Sequence, residues 1–155
     1  MKILITGANG FLGNHLVKKI NQEIEKDKSY HIFTPRSYQL NCLNYKELYY
    51  YCDYNSVDSI IHLAADCGGI GINQRKPADF FLNNAQMSLN IIKAAHELGI
   101  KKTVTLGTVC SYPKHTPVPF KEEDLWNGYP EETNAPYGIA KKNLLVGGQA
   151  FRQQY

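Results

Sequence analysis

Two rhythms of hydrophobic and polar positions alternate along this chain of 155 residues. The run "KILIT" is short, apolar and β-branched and stops at Gly7, which predicts a buried strand. "FLGNHLVKKINQEI" then places Phe11, Leu12, Val17, Ile20 and Ile24 at helical spacing. "HIFT" predicts a second strand closed by Pro35, and "SIIHLAA" another closed by Gly68 and Gly69. From Asp79 to Leu98 the helical rhythm returns through Phe80, Ala85, Met87, Ile91, Ile92 and Ala95. "KTVTLGT" predicts a further strand. "SYPKHTPVPFKEEDLWNGYPEETNAP" is rich in Pro and polar residues and predicts a long loop of the kind that is usually functional or disordered. A last helix is expected from near Pro136, with Asn134 placed to cap it.

Strands alternating with helices imply parallel pairing, so the expected fold is α/β, a Rossmann-like doubly wound parallel sheet. Ligands of such sheets bind beyond the carboxyl ends of the strands. The composition, 43% hydrophobic and 20% charged, is that of an ordinary globular protein. No apolar run is long enough to span a bilayer. The segment MKILITGANG lacks the design of a signal peptide, because its apolar run breaks into glycines, so a cytoplasmic protein is expected. Cys42, Cys52, Cys67 and Cys110 show no CxxC pair and no His spacing suited to zinc, so no metal site is expected. A net charge of +3 without a long basic run suits a small anionic ligand as well as nucleic acid, and decides neither.

Chemistry first enters at "TGANGFLG". Gly7, Gly10 and Gly13 lie between the first strand and the first helix, spaced G-x-x-G-x-x-G. Glycine permits backbone angles closed to other residues and lets the chain approach a pyrophosphate. The helix N-terminus offers free N–H groups and a favourable dipole. The plainer reading is an ordinary strand-to-helix turn, but the strand–loop–helix context is the one that dinucleotide binding requires. Gly7, Asn9, Gly10, Phe11, Leu12 and Gly13 are the candidate contacts, with Leu63, Ala64 and Ala65 after the third strand. At the end of the second strand an NAD site usually carries Asp or Glu for the ribose 2′-hydroxyl. Here "FTPRS" carries none, and Arg36 with Ser37 suits a 2′-phosphate. The expected cofactor is therefore NADP, with NAD still possible.

The second chemical signal is "NAPYGIAKK". Residues four apart share a helix face, so Lys141 neighbours Tyr137 and Lys142 does not. A free Tyr has a pKa near 10, and a nearby ammonium is expected to lower it. The same Lys can hydrogen-bond a nicotinamide ribose. Tyr137 would then give a proton to a carbonyl oxygen as hydride reaches the carbon, with Thr108 as a second hydroxyl. Taken alone, Y-x-x-x-K is as readily an exposed helix face.

Together TGxxGxxG, "HLAA", a Ser or Thr closing the "KTVTLGT" strand and YxxxK resemble the extended short-chain dehydrogenase/reductases, which act mostly on nucleotide sugars. "AADCGGIG", "KPADFFLNN", "LGTVCSYPK" and "PEETNAPYGIAKK" carry a finer resemblance, over essentially the whole chain. It is to the GDP-L-fucose synthase group, the GDP-4-keto-6-deoxy-D-mannose 3,5-epimerase/4-reductases. The resemblance implies a GDP-sugar substrate, with Tyr137 and Lys141 as the reductive pair and Thr108 in place of the family's Ser. It implies that Cys110 is an acid/base group for epimerisation, and that the helices 79–98 and 136–155 pair two subunits in a homodimer. Cys42, Cys52 and Cys67 have no such match. Sugar-nucleotide 4,6-dehydratases normally carry an Asp-Glu pair where "VCSY" stands here. GDP-mannose 3,5-epimerases share the Gly-Gly loop and C-x-Y-P but normally keep NAD. A non-catalytic dinucleotide-binding regulator would have no need of Tyr137 and Lys141.

The family that this chain resembles continues past the YxxxK helix, with a further strand and a C-terminal substrate domain. Residues 1–155 are thus expected to form an incomplete NAD(P)-binding Rossmann domain, without that substrate domain. Its last strand would be a bare apolar edge. Such a chain is expected to hold a dinucleotide but not to turn over a sugar nucleotide.

Overall fold

The structure, a computed structural model, describes residues 1–155. Its centre is a four-stranded, all-parallel sheet of order β2–β1–β3–β4. The strands are β1 (Lys2–Thr6), β2 (His31–Phe33), β3 (Ser59–His62) and β4 (Lys102–Thr105). Leu4 is in register with Phe33 on one side and Ile60 on the other. Leu4, Ile5 and Ile60 are fully buried, as strands covered on both faces require. The chain lays β2 on one side of β1 and then crosses to lay β3 on the other, so the strand order reverses between β1 and β3. That reversal is where doubly wound sheets take their ligands.

Five α-helices accompany the strands: α1 (Phe11–Ile24), α2 (Tyr45–Asn55), α3 (Ile70–Arg75), α4 (Pro77–Glu97) and α5 (Ala135–Gln154). The residues fall into two compact units, 1–65 with 90–106 and 66–89 with 107–155, and α4 contributes to both. In the first unit Leu16, Val17 and Ile20 of α1 pack against Ile3, Ile5 and Ala8. Phe11 and Leu12, expected on that apolar stripe, are instead exposed, and the Phe11 ring rests on His15. They occupy the first turn beside the glycine loop, and the stripe that meets the sheet begins at Leu16. The second part of α4 buries Ile91, Ile92 and Ala94. Asn90 Nδ2 donates to the carbonyls of Cys42 (2.8 Å) and Leu43 (3.0 Å). A left-handed Gly99 (φ +62°) ends this stretch, and the Ile100 amide returns to the Ala95 carbonyl at 2.9 Å.

In the second unit Phe80, Asn84, Met87 and Ser88 of α4 are buried. The segment read as a long loop is more ordered than its composition suggests. A bridge pairs Pro113 with Pro130, the Lys114 amide donates to the Tyr129 carbonyl at 3.0 Å, and residues 122–126 wind into a 3-10 turn. Lys142 Nζ donates to the Leu125 carbonyl at 2.7 Å and stands over the Trp126 ring.

Asn134 does sit at the N-cap of α5, but it does not cap it, being in the helical backbone region with no side-chain bond to the first turn. Its side chain is engaged elsewhere: Nδ2 donates to Glu131 Oε2 and Oδ1 accepts from Asn73 Nδ2, each at 2.8 Å. β4 pairs with β3 alone and leaves Val104 half exposed, so the expected open edge is present. No helix is long and apolar enough to cross a membrane.

Candidate functional site

The first group of candidate residues lies in the first unit. β1 ends at Thr6, whose Oγ1 lies 2.7 Å from His62 Nδ1, and the Leu63 amide donates to the Thr6 carbonyl at 3.1 Å. These bonds lock the ends of β1 and β3 together and carry Leu63, Ala64 and Ala65 alongside Gly7. Gly7 turns with φ +72°, and a Cβ there would stand 2.6 Å from the Ala64 nitrogen. A Cβ on Gly13 would stand 2.3 Å from the Gly7 carbonyl oxygen. Both glycines are therefore demanded by the packing of the loop itself.

Gly10 differs, because a Cβ there would meet only the Gly7 carbonyl oxygen, at 3.3 Å. It is the exposed N-cap of α1, in extended conformation and with no side-chain cap. The first-turn N–H groups thus carry no side-chain acceptor and point the positive end of the helix at open space. That arrangement fits a pyrophosphate, which needs unpaired donors and a bare backbone. Asn14 Nδ2 donates to the Asn9 carbonyl at 3.2 Å and steadies the loop. Arg36 and Ser37 are exposed after β2, and the Arg36 amide donates to Gln39 Oε1 at 2.9 Å.

The second group lies in the second unit. Thr108 caps a 3-10 turn at Val109–Ser111 by accepting from the Cys110 amide at 3.2 Å. Ser111 Oγ donates to the Gly138 carbonyl at 2.8 Å. A Cβ on Gly138 would stand 2.1 Å from the Cys110 carbonyl oxygen, so α5 lies directly on this turn. The contact brings Tyr137 close enough to Thr108 and to the Cys110 thiol for both to act on the charge of the phenol.

The expectation that Lys141 lowers the pKa of Tyr137 is corrected here. Burial pushes the Tyr137 phenol up, the Cys67 and Cys110 thiols push it further, and only the hydrogen bond from Thr108 pulls it down. Lys141 is not among the groups that shift it. Lys141 is itself only 4% exposed. Burial lowers its pKa, and the opposing charge of Cys67 raises it. Two neighbours on one helix face thus respond mainly to desolvation, which a spacing rule cannot register.

Cys67 is the residue that sequence reasoning left without a role, although it acts on both Tyr137 and Lys141. Its signal was positional: it follows the carboxyl end of β3. Cys42 and Cys52 are buried, and burial raises their pKa values to about 11 and about 12.

The model of the NAD dependent epimerase/dehydratase family matches residues 3–155. GDP-L-colitose synthase of Yersinia pseudotuberculosis is 36% identical over 141 residues, which cover 91% of this chain and 44% of that protein. GDP-L-fucose synthase of Escherichia coli (strain K12) is 31% identical over 154 residues, covering 99% of this chain and 47% of that one. The crystal structure of a GDP-L-fucose synthetase from Naegleria fowleri bound to NADP superposes with a TM-score of 0.84 at 25% identity, over 99% of this chain and 44% of that chain. The chain spans a little under half the length of these relatives.

Proposed function

The chain belongs to the NAD dependent epimerase/dehydratase family, and from that premise we propose that it serves the NADPH-dependent epimerisation and reduction of a GDP-linked 4-keto-6-deoxy sugar, with GDP-4-keto-6-deoxy-D-mannose converted to GDP-L-fucose as the specific reaction. The observation that carries this reading is the meeting of the Tyr137 hydroxyl with Thr108, beside the Cys110 thiol. A helix phenol beside a turn that carries a hydroxyl and a thiol is what a carbonyl needs if its oxygen is to be protonated and its flanking carbons deprotonated. The relatives named for GDP-L-fucose and GDP-L-colitose synthesis support the substrate class.

The residues divide the work as follows. The open α1 N-terminus at Gly10 receives the pyrophosphate, and Arg36 with Ser37 holds a 2′-phosphate. Bound NADPH supplies the hydride. Tyr137 gives its proton to the carbonyl oxygen, and a pKa raised by burial keeps the phenol protonated at neutral pH, as an acid must be. Thr108 orients that phenol and adds a second hydrogen bond to the oxygen. Lys141 holds the nicotinamide ribose. Cys110, as its thiolate, takes a proton from a carbon beside the carbonyl: the C–H bond breaks, an S–H bond forms, and the electron pair passes to the enolate oxygen at Tyr137.

The test is to incubate a chain extended to the length of its relatives with NADPH and GDP-4-keto-6-deoxy-D-mannose and follow absorbance. NADPH oxidation that Tyr137→Phe abolishes supports the reading. NADPH that binds but is never oxidised contradicts it.

A further inference from the structure

We propose that Asn127 is a self-modification site, where the side-chain amide turns into a carboxylate and so loosens the 3-10 turn 122–126 from α5. Asn-Gly occurs twice in the sequence, as Asn9–Gly10 and Asn127–Gly128. Asn is thermolabile where the next backbone nitrogen can reach its side chain, and glycine leaves that nitrogen unshielded. At position 127 the Gly128 nitrogen attacks Asn127 Cγ. An N–C bond forms, the bond from Cγ to the amide nitrogen breaks, ammonia leaves, and a cyclic imide remains. Water then adds to either imide carbonyl, and a ring C–N bond breaks to give aspartate or isoaspartate. Nothing is oxidised or reduced, and solvent is the only co-reactant.

The fold treats the two Asn-Gly pairs differently. The Gly10 amide donates to the Gly7 carbonyl at 3.0 Å, and Asn14 Nδ2 holds the Asn9 carbonyl at 3.2 Å. The nitrogen that would attack Asn9 is thus engaged, in a loop that is itself fixed. The Gly128 amide makes no hydrogen bond. Asn127 and Gly128 are both exposed, and both line an open cavity of about 200 Å³ that gives water access to them. Asn127 also closes the turn before it: its amide donates to the Asp124 carbonyl at 3.1 Å, and its Nδ2 donates to Asp124 Oδ1 at 3.0 Å. A carboxylate at position 127 removes that second donor and sets two negative groups face to face. The same turn holds Lys142 of α5, through the Leu125 carbonyl at 2.7 Å and the Trp126 ring. The new charge therefore acts on the contact that ties the turn to α5.

Timed incubation of the parent chain in mildly alkaline buffer, followed by peptide-mapping mass spectrometry, gives a rate of amide loss for each Asn. In the folded chain Asn127 is expected to react about fivefold faster than Asn9 or more, the factor that one hydrogen bond of about 1 kcal/mol on the Gly10 amide corresponds to. In concentrated guanidinium chloride the two rates should converge. Equal rates in the folded chain, or a faster Asn9, overturn the proposal. A difference that persists in the unfolded chain overturns it too, since it would come from flanking residues and not from the fold. Trp126 is the only tryptophan, so its fluorescence reports on the turn. The aged chain and Asn127→Asp should shift its emission in the same direction, and Asn127→Gln should abolish the change with time. An emission that Asn127→Asp leaves unmoved overturns the loosening of the turn. None of these measurements uses NADPH or a sugar nucleotide, so the functional reading above stands or falls separately.

Discussion

Gly13 has no room for even one methyl group, since its Cβ would stand 2.3 Å from the Gly7 carbonyl oxygen and 2.6 Å from Ala8. Both neighbours are backbone, so the helix must shift. Gly13→Ala is expected to cost about 2 kcal/mol, within the range for overpacking, and to weaken NADPH binding through the displaced α1 N-terminus. Thermal unfolding and a fluorescence titration check the two effects. Lys141 gives a pH prediction. Burial holds its pKa below 10.5 in the folded chain, so the unfolded chain binds that proton more tightly. The resulting penalty on folding is full below the folded-state value and fades as pH rises toward 10.5. Lys141→Met should therefore raise the melting temperature at neutral pH, by a margin that shrinks as the solution is made alkaline; a constant margin in scanning calorimetry would refute the assignment. Gly7, Gly13 and Tyr137 stood out in the sequence because each belongs to a spaced motif, and Thr108 because it closes the "KTVTLGT" strand. The direction of the Tyr137 shift and the place of Cys67 were not, because burial and cross-chain proximity are absent from spacing.

At the scale of elements, the strands and the helices α1 and α4 were legible because their apolar residues repeat cleanly, and α5 was legible from the Pro at its start. α2 was not. Its sequence YKELYYYCDYN buries only Leu48 and Cys52, and its many Tyr residues blur any polar–apolar contrast. What starts α2 is Asn44, whose side chain accepts from the Glu47 amide, and a left-handed Ser56 ends it. α3 has only six residues, too few to show a period. Phe80, Met87 and Ile91 are buried in their own chain, while Phe81, Leu82 and Leu89 face solvent, as do Leu145 and Val146 of α5. We propose that this second set is the surface of a homodimer. Leu82→Glu should turn a dimeric mass into a monomeric one in sedimentation equilibrium, and a parent chain that stays monomeric at high concentration would remove the proposal.

For the whole molecule, the parallel order β2–β1–β3–β4 follows from alternating strands and helices, and it sets the glycine loop beside the reversal of strand order. The preference among dinucleotides rests on less, namely Arg36 and Ser37 and the lack of a carboxylate in "FTPRS". Hydrogen bonds to a charged group are worth about 1.5–3 kcal/mol each, so one guanidinium on a 2′-phosphate should separate NADPH from NADH by about tenfold or more. Titration calorimetry of NADPH and NADH into the parent chain and into Arg36→Ala measures this directly. The account predicts that the parent binds NADPH the more tightly and that Arg36→Ala removes most of the difference while still binding NADH. Equal affinities in the parent, or no binding of either dinucleotide, would contradict it.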